Sequence, residues 1–187
     1  SQGTSQMTIS HSKYYPSVAS GNVFIGSTAA AGVAYPISTG TAVTCGIWNN
    51  SNDKNAVILG VNVGYTSGTI AIGEIGLANQ AVGFNTATGA AMTAFTVATP
   101  KNALTGIGKS SAMRFTGSTA TLAAGGTALL WSGHSMEIAT AAPGVSSVNW
   151  DVNGLVVVTP GQLVFVCGSI AQTGIFTMSM VWEEVPV

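Results

Sequence analysis

Charge is what this chain lacks most. Of 187 residues, 5 are Lys or Arg and 6 are Asp or Glu, so 6% are charged and the net charge is -1; an ordinary soluble domain has about 25% charged residues. With so few cations nothing can neutralise a run of phosphates, which excludes a nucleic-acid binder working through a basic stripe. A tail kept unfolded by like charges is excluded as well. Two cysteines are too few for a disulfide scaffold, and reduced thiols are expected. Aromatic residues make up 7% and are not spaced as the girdles of an outer-membrane barrel. No run of about 20 apolar residues offers a membrane-spanning helix; the best stretches, 56–63 and 155–166, are cut by Gly60, Asn62, Pro160, Gly161 and Gln162. Ser1–Ser12 is polar, with no basic start or apolar middle, and is not read as a secretory signal. No membrane partner and no nucleic-acid partner are therefore expected.

What is present is Gly, Ala, Ser, Thr and Val, with a mean hydropathy of +0.45. A chain of this length buries roughly 70% of its unfolded surface and can hold a core without metal or disulfide. Its surface must be made of Ser, Thr, Asn, Gly and Ala. At near-zero net charge such a surface has little repulsion to keep copies apart, and it is tolerable where neighbours cover much of it.

Residues 1–22 are polar apart from Tyr14, Tyr15 and Pro16, and read as an extended N-terminal arm anchored by the two tyrosines. Its apolar content cannot offset its ordering entropy, so it is expected to order only in an assembly. Residues 23–187 read as a single domain of short strands. Expected strands are Asn22–Ile25, Thr41–Trp48, Lys54–Tyr65, Thr69–Leu77, Ala90–Thr99, Thr127–Ser132, His134–Thr140, Leu155–Thr159, Gln162–Gly168 and Ile175–Glu183. In Lys54–Tyr65, alternation puts Val57, Leu59, Val61, Val63 and Tyr65 on one face. Thr66-Ser67-Gly68 then suggests a hairpin into Thr69–Leu77. Pro160-Gly161 is a type II turn signature. In the last strand Phe176, Met178, Met180 and Trp182 share one face, and Ile175, Thr177, Ser179 and Val181 the other. No stretch has helical spacing with caps. About eight strands with Gly and Pro turns predict an all-β antiparallel β-sandwich, a jelly roll.

Sites of chemistry are few. Ala103–Ser110 (ALTGIGKS) loosely fits a phosphate loop, but no strand delivers it to a helix N-terminus, and it reads as a surface loop. His11, His134 and Glu137 do not form a zinc set with the two cysteines. No Gly-x-Ser-x-Gly elbow occurs. Glu74, Glu137, Asp151, Glu183 and Glu184 could pair as carboxylates, but solvated strand ends explain them better. Asn49-Asn50-Ser51 is a glycosylation sequon. Trp48, Trp131 and Trp182 read as core or interface. Trp150 and Asp151, in VNWDVNG, are the better candidates for a surface contact. No catalytic residue, cofactor or metal is expected, and the chain reads as a non-enzyme.

The C-terminal third, with LVVV, TPGQ, LVFVCGS and IFTMSMVWEEV, resembles the end of trimeric jelly rolls of the tumour-necrosis-factor and C1q type. The whole chain resembles bacteriophage virion proteins of the head-decoration, or cement, type. That likeness lies in its polar arm, its Ala/Gly/Thr/Ser-rich strands, the segment WNNSNDKNAVIL and the WEEVP ending. The resemblance implies a structural protein on the capsid exterior, assembled in the host cytoplasm. It would form a homotrimer and dock on the major capsid protein or other virion proteins. It further implies that the last strand faces the trimer axis, which makes Ile175, Thr177, Ser179 and Val181 the expected oligomer interface, with Tyr14 and Tyr15 as arm contacts. A phage fibre or carbohydrate-binding module is the alternative expectation, and a surface-filament subunit a further one.

Overall fold

The computed structural model describes residues 13–84, 91–106, 108–136 and 147–187. Among these residues there are thirteen strands and one short helix. A first sheet contains β1 (Val23–Ser27), β4 (Lys54–Ser67), β11 (Ser147–Val158) and β13 (Ile175–Pro186), in the order β11-β4-β13-β1, with β7 (Lys101–Asn102) added beside β1. A second contains β3 (Gly46–Trp48), β5 (Gly73–Ala81), β10 (Thr127–Met136) and β12 (Gln162–Gly168), in the order β10-β5-β12-β3, with β8 (Arg114–Thr116) added beside β3. Every pairing in the two sheets is antiparallel. β1 pairs with β13, β3 with β12, β4 with β11 and β5 with β10, so the eight strands form one two-stranded ribbon rolled across two sheets. That is the expected jelly roll.

The sheets bury a core between them. Phe24, Ile58, Val61 and Val63 from the first sheet, with Met178, Met180 and Trp182, meet Ile47, Ile75, Leu77, Val164 and Val166 from the second. Trp182 lies between the rings of Phe24 and Phe115, with centroids 6.1 and 6.2 Å away. Gly26 is required here, because a Cβ would sit 2.4 Å from the Phe115 ring. The outer face of the second sheet is buried too. A third sheet of β2 (Ala42–Val43), β9 (Ala120–Leu122) and β6 (Met92–Phe95) lays Val43, Met92, Ala120 and Leu122 over Trp48, Leu163, Phe165 and Cys167. Burial on both faces explains why β12 reads as a continuous apolar run, QLVFVCG.

Four expectations are corrected. Residues 1–12 of the arm lie outside the described residues. The rest of the arm is not extended, because Tyr15–Ala19 form a helix, α1, with Pro16 in its first turn, where a missing N–H costs nothing. The hairpin between β4 and β5 does not exist, since the two strands belong to different sheets. Residues 68–72 carry the chain across the sandwich, with Gly68 at φ +91° and Ile70 buried in the core. The faces of β4 change along its length. Trp182 pairs with Ile58 and Val181 with Gly60, leaving Leu59 as a bulge. Below the bulge Ile58 faces the core, and Val57 and Leu59 face outward. Above it Val61 and Val63 face inward as expected. Finally, the two strands expected at 127–140 are one, β10, interrupted by a bulge between Trp131 and Ser135. Glu137 and His11 lie outside the described residues.

Candidate assembly face

The outer face of the first sheet is centred on β13. Thr177, Ser179 and Val181 stand half-buried on it, opposite Gly64, Asn62 and Gly60 of β4. Ile25 and Ser27 of β1 flank Val181 and Ser179 on the other side. Ser27 and Ser179 share a hydroxyl hydrogen bond of 2.8 Å, and the Thr177 hydroxyl donates to the Gly64 carbonyl at 3.3 Å. Ile175 lies on the same face, packed beside the close approach of Gly32. All four residues expected at the interface therefore share one side of the sheet. Its middle carries no charge and is kept flat by glycine and serine; Glu183 of β13 and Lys101, opposite Ile25, lie at its margins.

At one side the face sinks into a hollow of about 400 Å³. Leu59, Gly60 and Val181 line it, and so do Val18 of α1 and Val23. The outward turn of Leu59 follows from the β4 bulge. α1 is fixed above the sheet through β11. There the register jumps from Asp151 opposite Gly60 to Val156 opposite Ile58, so residues 152–155 face Leu59 alone; Val152 turns into the core and the rest form a bulge. Asn153 and Gly154 take φ of 55° and 78°, the left-handed pair that Asn-Gly readily adopts. Asp151 Oδ1 accepts from the Asn153 N–H at 3.2 Å and from the Tyr14 hydroxyl at 3.2 Å. Lys13 Nζ donates to Asn153 Oδ1. Tyr14 thus anchors the arm to its own chain. Tyr15 is exposed.

Beside the hollow lies a second apolar feature. Among the described residues β10 and β11 are the edge strands of their sheets, adjoining across an open groove of about 440 Å³ walled by Leu129, Leu130 and residues 155–157. Neither strand contains Lys, Arg, Glu or Pro. Trp150 is half-buried and packs against the core, because it shares the inward face of Val148 and Val152. Of the VNWDVNG pair, Asp151 is exposed, and Trp150, though packed against the core, also lines the hollow.

The other candidate residues are accounted for structurally. Ala103–Ser110 leads into no helix, and its turn is held by Asn102, whose Nδ2 donates to the Gly21 carbonyl at 2.8 Å and whose Oδ1 accepts from the Leu104 N–H at 2.8 Å. His134 is exposed. Among the described residues no group of three His, Cys, Asp or Glu is placed to hold a metal. Cys45 faces the core between the sheets and Cys167 the core outside the second sheet, so the two thiols are buried on opposite faces and both are free. Burial pushes the Cys167 thiol up to about 12, and Cys45 higher still. Glu184 is not a solvated strand end. It is buried, and accepts from the Ser111 hydroxyl, from the Ala112 N–H at 3.0 Å and from Lys54 Nζ at 3.4 Å. Asn49 of the sequon is fully buried, with Nδ2 donating to the carbonyls of Lys54 and Val158, both at 2.8 Å. A glycan has no access to it. Comparison with known proteins adds no identity: no family model, no curated protein and no solved structure matches this chain.

Proposed function

We propose that this protein is a non-enzymatic structural subunit of a virion, a decoration or cement protein. It joins copies of itself as a homotrimer and docks on the capsid exterior, on the major capsid protein or another virion protein, to stabilise the lattice. One observation carries the reading. The chain covers the outer face of the second sheet with a sheet of its own, and leaves the outer face of the first sheet without one; from Ile175 to Val181 that face of β13 is uncharged, and Glu183 stands at its end. A stable contact takes about 800 Å² from each partner, and many copies on a lattice add avidity that one contact lacks.

Two lysine substitutions on neighbouring residues of β13 test the reading. Met178 faces the core, so Met178→Lys should unfold the protein, because an unpaired ammonium there costs several kcal/mol. Ser179 faces outward, so Ser179→Lys should leave the circular dichroism spectrum intact and reduce the particle mass seen by light scattering to that of a monomer. A wild type that is monomeric both alone and with purified particles would overturn the reading, as would a Ser179→Lys variant of unchanged oligomeric mass.

A further inference from the structure

We infer that Lys13 and Asn153 join through an isopeptide bond, by which the chain ties its own arm to β11. α1 has little else to hold it. It is five residues long, buries none of them and has no side-chain cap, and a helix so short is unstable by itself in water. The contacts of Lys13 and Tyr14 with the β11 bulge help to fix its place, and they bring together the groups that forming an amide needs. Lys13 Nζ, the amine, donates to Asn153 Oδ1 and so stands beside the amide carbon. The Tyr14 hydroxyl reaches the same Oδ1 at 3.4 Å and the Asp151 carboxylate at 3.2 Å. Asp151 Oδ1 also accepts from the Asn153 N–H at 3.2 Å, and Asn153 Nδ2 donates to the Asp151 carbonyl at 3.3 Å. The asparagine amide is thereby held over the aspartate. Lys13 Nζ lies 4.9 Å from the centre of the Tyr14 ring, which walls one side of the amine. An amine, a carboxamide, a hydroxyl donor and a carboxylate thus meet at one point, although Lys13 and Asn153 are 140 residues apart in the chain.

The step balances without a further reactant. The lysine ammonium first gives one proton to solvent. The neutral Nζ attacks Asn153 Cγ, and an electron pair of the carbonyl moves to Oδ1, where the Tyr14 hydroxyl donates to the developing negative charge. As the carbonyl forms again, the Cγ–Nδ2 bond breaks. The proton that Nζ sheds passes to Nδ2 with the Asp151 carboxylate as its carrier, and ammonia leaves. One amine and one primary amide give one substituted amide and ammonia, and nothing is oxidised or reduced. Lys13, Asp151 and Asn153 are exposed, and a protonated amine does not react, so the step is slow. It has to occur only once in each molecule, and ammonia lost to solvent does not return. Well-oriented groups reach effective concentrations on the order of 10⁵–10⁸ M. The bond would keep α1 above the hollow even when its other contacts open.

Intact-mass spectrometry of the full chain, followed over days at mildly alkaline pH, tests this. The wild type should become lighter by one ammonia. Trypsin should then fail to cut after Lys13, and should leave the peptide that contains it joined to Phe115–Val187, the fragment that holds Asn153. Lys13→Arg and Asn153→Gly should each keep the full mass and an unchanged circular dichroism spectrum. Glycine suits position 153 because the backbone there has φ 55°. Tyr14→Phe keeps the ring and removes the donor to Oδ1, and should slow the loss of ammonia roughly 100-fold. A wild type that keeps its full mass overturns the inference, since Lys13 and Asn153 then share a hydrogen bond and no more. A loss of ammonia that persists in Lys13→Arg overturns it as well. That loss would be a succinimide, closed by the Gly154 nitrogen on the Asn153 side chain, which has the same mass and joins no second peptide.

Discussion

Burial keeps both thiols protonated in the folded protein, and this ties stability to alkaline pH. In the unfolded chain a cysteine loses its proton around its ordinary value of 9.0, whereas in the fold Cys167 holds it to about 12 and Cys45 further. The unfolded state therefore binds fewer protons above pH 9, and stability must fall as pH rises from there. Melting temperature should be level below pH 9 and decline towards pH 12. Cys45→Ala combined with Cys167→Ala should flatten that decline. Part of the slope should remain above pH 10, because burial, with Cys167 nearby, also raises the Tyr35 hydroxyl above its ordinary 10.0. Glu184 gives a second prediction at this scale. Glu184→Ala strands the Ala112 N–H and leaves the Ser111 hydroxyl only the longer bond to the Met113 carbonyl, and should cost about 2–3 kcal/mol in urea unfolding. Lys54→Ala should cost under about 1 kcal/mol, since that side chain is 38% exposed and its charge is largely screened.

Along each strand, period-2 alternation reports which residues share a face only until a bulge intervenes. β13 alternates without a break from Phe176 to Trp182, and there the reading from sequence and the burial agree at every residue. β12 and the Pro160-Gly161 corner were equally legible; Gly161 sits at φ +78° as a type II turn requires. β4 was legible only above Leu59. The bulge there depends on β13 and β11, strands far away in sequence, and has no local signature. It is testable: Ile58→Ala should cost about 3 kcal/mol by leaving a core cavity, and Val57→Ala under about 1. Unbroken alternation predicts the reverse order. Choice of partner was the larger blind spot. A strand that faces a core alternates whatever it pairs with, so a turn between β4 and β5 looked like a hairpin when it was a crossing between sheets. The same limit divides the candidate site. That Thr177, Ser179 and Val181 share a face was legible in β13 alone, whereas their role at an interface came only from the resemblance. The hollow and the groove between β10 and β11 depend on bulges and on which strands end as edges, and no local pattern marks either.

At the scale of the whole molecule, the rolled ribbon places β13 between β1 and β4, two strands that lie far earlier in the chain. Nearly every strand contact is remote in sequence, and remote contacts slow folding because loops must close before they are rewarded. Refolding from urea should take milliseconds to seconds, slower than a helical protein of this size. A chain ending at residue 174 should not fold, because β1 and β4 would each lose a partner and the core would lose Phe176, Met178, Met180 and Trp182. On the ribosome this order has a further effect. Ser179 and Val181 belong to β13 itself, and the floor of the hollow is incomplete without Val181. This face is therefore incomplete in a nascent chain until β13 has been synthesised and inserted. On the assembly reading proposed above, insertion of β13 both closes the fold and completes the face that would meet a neighbour.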